Sequence, residues 1–296
     1  MLYDKTFEPL IIDAHHHLWQ RARGDYHWLD ARMNPALAPI ERDYLLDDYG
    51  KLAKEHGITG SVLVQAAQTE AETRWLLTQA RASGHLMRGV VGWIDMAAPD
   101  AADVLGALAQ DGLLRSIRPM LQEIPDVEWA LQPRLDAAFR ALMALDLSFD
   151  LLIRPQHLRS AITLLTRYPG LRAVVDHCAK PDIARWMWQP WADGIRDIAI
   201  KTRACCKLSG LVTEASLGWN VDDLRPYVDH VIECFGPQRI IWGSDWPVMT
   251  LNADYGQWLD VTKQLISPLS PADQAAIMAR NAVSFYRLDV DSPVYN

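Results

Sequence analysis

Two histidines stand two positions apart in the stretch Ile11-Ile12-Asp13-Ala14-His15-His16-His17-Leu18-Trp19. The stretch runs from an apolar pair straight into imidazole, as a buried strand does when it reaches a polar rim. On a strand, His15 and His17 leave by one face and His16 by the other. Two converging imidazoles suit one divalent cation, zinc most typically, and His16 reads as structural. Further along, His177 ends the apolar run "VVDH" and Asp245 ends "IIWGSD". A carboxylate so placed can bind the metal, take a proton from an attacking water, or do both. Gly243, just before it, allows close backbone approach. Asp13 could receive a ring N–H from the histidine pair.

These side chains meet only if separate segments bring their ends together. The chain alternates short apolar runs with longer segments of helical spacing. Eight runs read as strands: Leu10–His15, Ser61–Ala66, Arg88–Asp95, Leu114–Leu121, Ser148–Arg154, Leu171–His177, Cys205–Gly210 and Arg239–Ser244. Each is apolar on both faces, as expected of parallel strands covered by helices. Thr69-Glu70-Ala71-Glu72 reads as a capping box for a helix that carries Trp75, Leu76 and Ala80 and stops at Gly84. Asp100 offers a cap for a helix through Ala109. Leu135, Phe139, Leu142 and Met143 form one apolar stripe, and Ser270-Pro271-Ala272-Asp273 opens a further helix. The alternation over 296 residues predicts an α/β fold, a single (β/α)8 TIM barrel forming one domain over residues 1–296. A doubly wound sheet would carry a Gly-rich phosphate turn after its first strand, and "DAHHHLWQ" is not one.

In a barrel, chemistry sits at the C-terminal ends of the strands. Polar groups gather there along this chain: Gln65 near the end of the second run, Trp93 and Asp95 on the third, Arg118 on the fourth with Gln122 and Glu123 following it, Arg154 on the fifth, and Lys180 beyond His177. Asp245 is the expected general base, with His177 and Arg154 as further catalytic groups. Gln65, Arg118, Gln122 and Lys180 are candidate substrate contacts. The aromatics Trp19, Trp28, Trp93 and Trp246 would serve a flat substrate or a sugar face equally well. The arginines read two ways. Each could hold a carboxylate or polarise a carbonyl, or each could pair with Glu123 or Asp95 as a strut. Position favours Arg154, at a strand end, as functional, and Arg118, deeper, as the strut.

The net charge is −8, with 22% charged and 50% hydrophobic residues, so a large core is available and nucleic acid or an anionic membrane is a poor partner. No apolar stretch approaches the ~20 residues that span a bilayer. The opening MLYDKTFEPL has Asp4 and Glu8 where a signal peptide would be apolar. Cys178, Cys205, Cys206 and Cys234 lack CxxC spacing, and free thiols in a reducing cytoplasm are expected. A nucleophilic Cys178 acting with His177 is disfavoured, since strand neighbours face opposite ways.

Six segments then match a family in order: "DAHHHLW" at Asp13–Trp19, "VGWID" at Val91–Asp95, "VVDHCAKP" at Val174–Pro181, "KLSGL" at Lys207–Leu211, "GSDWPV" at Gly243–Val248 and "NAVSFYRL" at Asn281–Leu288. The sequence resembles the amidohydrolase superfamily, in the branch of amidohydrolase-related proteins that includes sugar lactonases such as L-fuconolactonase and L-rhamnonolactonase. The resemblance implies hydrolysis of a sugar-acid lactone, with His15 and His17 on the first strand, His177 on the sixth and Asp245 on the eighth. It implies one divalent metal ion, zinc by type, held by His15, His17 and Asp245. Many metal-dependent members place another histidine at the end of strand five. Arg154 stands there in this chain, so Glu123 is the candidate replacement ligand, and a route in which histidine and arginine act without metal stays open. A metal-dependent decarboxylase on the same barrel and a non-catalytic barrel that binds a sugar acid are the alternatives.

Overall fold

The computed structural model describes residues 10–290. The opening segment with Asp4 and Glu8 lies outside them. The eight strands are β1 (Ile12–His16), β2 (Gly60–Val64), β3 (Met87–Gly92), β4 (Leu114–Ile117), β5 (Ser148–Leu151), β6 (Ala173–Val175), β7 (Cys205–Leu208) and β8 (Ile240–Trp242). They pair in parallel, in chain order. Between them run α1 (Leu46–Glu55), α2 (Glu70–Ala82), α3 (Ala101–Leu108), α4 (Asp136–Ala144), α5 (Leu158–Arg167), α6 (Trp191–Lys201) and α7 (Val221–Phe235), with α8 (Tyr255–Ile266) after β8. This is the (β/α)8 barrel that the alternation predicts. Several strands stop earlier than their apolar runs, because the polar ends turn off the ladder to bond neighbouring loops, as Gln122 N does to Leu152 O at 3.0 Å. Among the described residues no helix is long and apolar enough to cross a membrane.

The cap signals resolve unevenly. Thr69 Oγ1 accepts from Glu72 N at 3.0 Å, but Glu72 does not close the box. Its buried carboxylate instead accepts from the backbone N–H of Ala66 and Ala67, pinning the loop that leaves β2. Asp100 makes no side-chain cap; its main-chain carbonyl receives Asp103 and Val104. Ser270 does cap, accepting from Asp273 N at 3.2 Å.

Two apolar layers hold the barrel. Outward-facing residues such as Leu63, Phe149, Val175 and Trp242 pack under the helices. Inward-facing Ile12, Val62, Val91, Val174 and Ile241 fill the N-terminal half, and the closing helix α10 (Asn281–Tyr286, preceded by α9 at Pro271–Ala275) seals it with Phe285 and Tyr286. Higher up the lining turns polar.

The register of β1 on β2 shifts between Asp13 and His16. This irregularity sends Asp13 outward, toward α1 and α8, while His15 faces the interior two residues later. His16 faces outward, bonded through Nε2 to Ser61 Oγ at 3.0 Å and stacked on Tyr49 at 3.6 Å. The β8–β1 seam is closed beyond the strands, by Asp245 N donating to His15 O and His17 N to Trp246 O, both at 2.7 Å. Asp13 completes it. Its carboxylate accepts from Ser244 N (2.8 Å), Ser244 Oγ (2.7 Å), Tyr49 OH (3.0 Å) and Tyr255 OH (3.0 Å). Gly243 makes the approach feasible: a Cβ there would lie 2.7 Å from His15 Cβ.

Asp13→Ala strips an acceptor from these buried donors. Each unsatisfied donor costs about 1–3 kcal/mol, so urea denaturation should report a loss of at least about 3 kcal/mol, with Asp13→Asn losing less. A loss below about 1 kcal/mol would show that the seam is held by other means.

Candidate active site

At the C-terminal rim a cavity of about 160 Å³ is lined by His17, His177 and Asp245, with Trp28, Arg118, Gln122 and Lys180 around them. Asp245 follows β8 in left-handed backbone, φ 63°. Its Oδ1 lies 3.3 Å from His17 Nε2, 3.7 Å from His15 Nε2 and 3.8 Å from His177 Nε2. β1 supplies His15, and the residue just after the strand is His17, their rings edge to face at 5.0 Å.

His177 comes from an unusual corner after β6. Four successive residues there have positive φ: His177 (50°), Cys178 (52°), Ala179 (57°) and Lys180 (51°). Left-handed backbone costs an L residue roughly 1–2 kcal/mol, so the surroundings must over-determine it. His177 Nδ1 meets Ser209 Oγ at 2.9 Å, Cys178 Sγ donates to Lys207 O at 3.3 Å, and Trp191 Nε1 donates to Cys178 O at 2.7 Å. Gly210 leaves room for the ring, since a Cβ there would sit 2.6 Å from His177 Nδ1. Cys178 is thus buried away from the cavity, which removes it as a nucleophile.

Burial opposes charge on Asp245, but His177, the His17 hydrogen bond and His15 outweigh it and hold its carboxyl well below the usual carboxylate range. Burial pushes His177 down to about 4, against the pull of Asp245 and Asp176. His17 Nδ1 must donate to Val64 O, 2.8 Å away, because a carbonyl only accepts. Its Nε2 then faces Asp245 Oδ1 lone pair to lone pair, unless a proton or a metal ion lies between them.

That arrangement fits a cation. His15, His177 and Asp245 each offer a ligand atom, all within 4.8 Å of one another, and two imidazoles plus a carboxylate suit zinc. His15 carries an opposing feature, since Lys207 Nζ is 3.1 Å from its Nδ1 and Arg118 Nη1 is 3.2 Å from its Nε2. A metal on His15 would sit beside two protein cations.

Beneath the cavity lies a buried charge network. Lys207 Nζ donates to Asp150 Oδ2 (2.6 Å), meets His15 Nδ1 (3.1 Å), and pairs by charge with Asp176 Oδ1 at 3.0 Å, an oxygen that itself has no hydrogen-bond partner. Asp150 also accepts from Ser116 Oγ (2.6 Å) and Tyr286 OH (2.7 Å). Arg118 Nη1 reaches Asp176 Oδ2 at 3.4 Å, and its Nη2 is bound by Gln65 O. Burial raises Asp150, whereas at Asp176 the opposing effect of burial is exceeded by Lys207, His15 and Arg118, which hold the carboxyl down. Lys207 and Asp150 are not among the site residues expected from the sequence. The signal was available: each is a charged residue inside a strand buried on both faces.

Other expectations need correction. Arg118 is 2% exposed and paired with a carboxylate, as a strut would be, but that partner is Asp176 rather than Glu123 or Asp95, and the side chain also lines the cavity. Arg154 is exposed and lines a neighbouring cleft instead. Gln65 holds Arg118 in place, donating to its carbonyl at 2.7 Å, and does not line the cavity. Trp19 is fully buried, donating to Arg42 O at 2.7 Å, and Trp246 packs edge-on against Tyr44. Trp93 lies off the cavity, its backbone tied to Thr73 of α2. Glu123 is exposed and accepts from Gln68 at 3.2 Å, outside the ligand cluster. Trp28, Gln122 and Lys180 do line the cavity.

The amidohydrolase family model matches residues 12–288 of the chain. An L-fucono-1,5-lactonase of Burkholderia ambifaria is 40% identical over 282 residues, covering 94% of this chain and 96% of that protein. An L-fucono-1,5-lactonase of Burkholderia multivorans is 33% identical over 294 residues, with 94% and 96% covered. A crystal structure of an amidohydrolase from Burkholderia multivorans with bound zinc superposes with a TM-score of 0.88 at 32% identity, covering 95% of this chain and all of that one.

The depressed histidines dictate a pH dependence. An unfolded imidazole takes up its proton near 6.5, whereas folded His177 resists until about 4, and burial lowers His15 and His16 as well. Between those values the unfolded chain binds more protons, so stability falls as pH is lowered. In chelator-treated protein the melting temperature should hold from pH 8 to about 7, then drop toward pH 4, less steeply in His177→Gln. A flat profile down to pH 4.5 would show that these histidines protonate in place.

Proposed function

The chain belongs to the amidohydrolase family, and from that standing we propose that it hydrolyses the ester bond of a sugar-acid lactone, the reaction for which its L-fucono-1,5-lactonase relatives are named. One observation carries the reading: a single carboxylate oxygen, Asp245 Oδ1, stands 3.3–3.8 Å from three imidazoles at the mouth of a small cavity. Held ionised, Asp245 accepts a proton from water as the water oxygen attacks the lactone carbonyl carbon. Arg118 and His177 face the oxyanion that forms. The C–O bond to the ring oxygen then breaks, Asp245 returns the proton to that oxygen, and a hydroxy acid results. Its carboxyl group ionises, which is the acid released.

Gln122 Oε1 is buried without a hydrogen-bond partner among the described residues, so it suits a donor such as a ring hydroxyl. Trp28, its Nε1 fixed on Ala66 O at 2.7 Å, offers a face to the sugar. Lys180 completes the polar wall. A divalent cation, zinc by donor type, held by the histidines and Asp245 would polarise the carbonyl and acidify the water. We read the whole chain as one such domain, and its four free cysteines accord with the cytoplasm.

A panel of L-fucono-, L-rhamnono-, galactono- and xylono-lactones, followed with a pH indicator, tests the reading. Acid release should appear with at least one of them, and Asp245→Asn should lower kcat/KM by about 10²–10⁴-fold while circular dichroism stays unchanged. No acid release from any lactone, or carbon dioxide release from an unsaturated acid instead, would sink it. Elemental analysis should find about one zinc equivalent per chain. Full activity after verified metal removal would leave the electrophilic role to Arg118 and the imidazoles.

A further inference from the structure

A second, larger cleft opens beside the reaction cavity, with a volume of about 510 Å³. Arg154, Lys180, Arg185, Asp182 and Glu214 supply its charges. Lys180 lines both spaces, so it stands on the boundary they share. Its side chain is 17% exposed, and its nearest acidic partner, Glu214 Oε1, is 3.9 Å away, beyond hydrogen-bond length. Among the described residues the Lys180 ammonium makes no hydrogen bond, so a largely buried cation keeps its donors unused. Arg154, at the outer edge, likewise has no ion pair or side-chain hydrogen bond among the described residues. Arg185 is taken up by Asp182 at 3.2 Å. Within the cleft lining, Glu214 is the carboxylate left for Arg154 and Lys180, so the cleft holds an excess of positive charge, although Lys180 also feels Asp245 from the reaction cavity.

We propose that this cleft is a carboxylate subsite that receives the product: the hydroxy acid made in the reaction cavity leaves past Lys180 and is held by Lys180 and Arg154. The ligand class is a polyhydroxylated monocarboxylate. The inference rests on the lactonase reading, which supplies the charge argument. A lactone is neutral and its hydrolysis product is an anion. The new carboxylate appears beside Asp245, itself ionised, and like charges at such range repel. Arg118 spends its Nη donors on Asp176 and Gln65, which leaves only its Nε without a partner. The cations whose side chains make no hydrogen bond among the described residues, Lys180 and Arg154, line the cleft. A site of this kind distinguishes product from substrate by charge alone and draws the product out without strengthening substrate binding.

Isothermal titration of the intact protein tests this with two probes, sodium L-fuconate and L-fucitol, which differ in having a carboxylate or a hydroxymethyl group. Fuconate should bind about tenfold tighter or better, as expected for a charge-assisted contact, and rising sodium chloride should weaken fuconate alone. Arg154→Gln should reduce fuconate affinity about tenfold and leave fucitol binding and the melting temperature unchanged. Equal binding of the two probes, or wild-type fuconate affinity in Arg154→Gln, overturns the proposal. A second arm compares galactaric acid monolactone, which carries its own carboxylate, with a neutral lactone. If Arg154→Gln loses only a kcat/KM preference for the charged lactone while fuconate binding is unaltered, the carboxylate belongs to a substrate and the product subsite falls. The titrations need no turnover, so absence of acid release from every lactone would remove the lactonase reading separately, and the fuconate result would still stand or fall by itself.

Discussion

The Asp13 carboxylate is the constraint through which both the barrel and its site are held. β8, Ile240–Trp242, ladders with β7 but forms no ladder with β1 among the described residues. Closure passes to the residues beyond it, and Asp13 gathers them: Ser244 on one side, Tyr49 of α1 and Tyr255 of α8 on the other. The next residue after Ser244 is Asp245, and two residues after Asp13 is His15. The bonds that shut the barrel therefore set the separation between the carboxylate and the imidazoles. Stability and site geometry are one problem in this molecule.

The charge network below has a different character. Replacing buried ion pairs by apolar groups is often neutral or stabilising, so Lys207 with Asp150 and Asp176 is a poor explanation of why the barrel is stable. What the network does is orient. Lys207 and Arg118 approach His15 from its two ring nitrogens, fixing the ring plane beneath Asp245. Asp176 begins the corner that carries His177, so the same network anchors a second imidazole. An apolar replacement could preserve the barrel and still leave the rings free to turn.

Much of this was legible in the sequence, and the residues that were not share a physical reason. His15, His17, His177 and Asp245 each end an apolar run, and a polar residue at the end of a buried strand has a defined address. The depth of the two arginines was not legible, because apolarity runs past the ladder. β4 ends at Ile117, which makes Arg118 the first residue beyond it and leaves it over the barrel mouth. β5 ends at Leu151, so Arg154 is three residues out, on the surface. Trp19 and Trp246 lie at the rim in sequence but are drawn into an aromatic cluster about Tyr44, with centroids at 5.2 and 5.1 Å. Composition alone does not separate a tryptophan that faces substrate from one that supports a loop. The β1 irregularity, which lets Asp13 and His15 face opposite ways, has no mark in residue type.

The left-handed corner from His177 to Lys180 carries an evolutionary consequence. Most sites tolerate or reject a new residue by its side chain, whereas these positions screen it first by backbone. Valine, isoleucine and threonine are poorly accommodated at positive φ whatever their chemistry, while glycine and asparagine enter readily. A lineage shifting to a new substrate has ample latitude in the long connections at residues 20–42 and 122–133, but little at this corner. Divergence in such a barrel should therefore proceed by exchange of its outer loops around a corner whose shape is inherited almost unchanged.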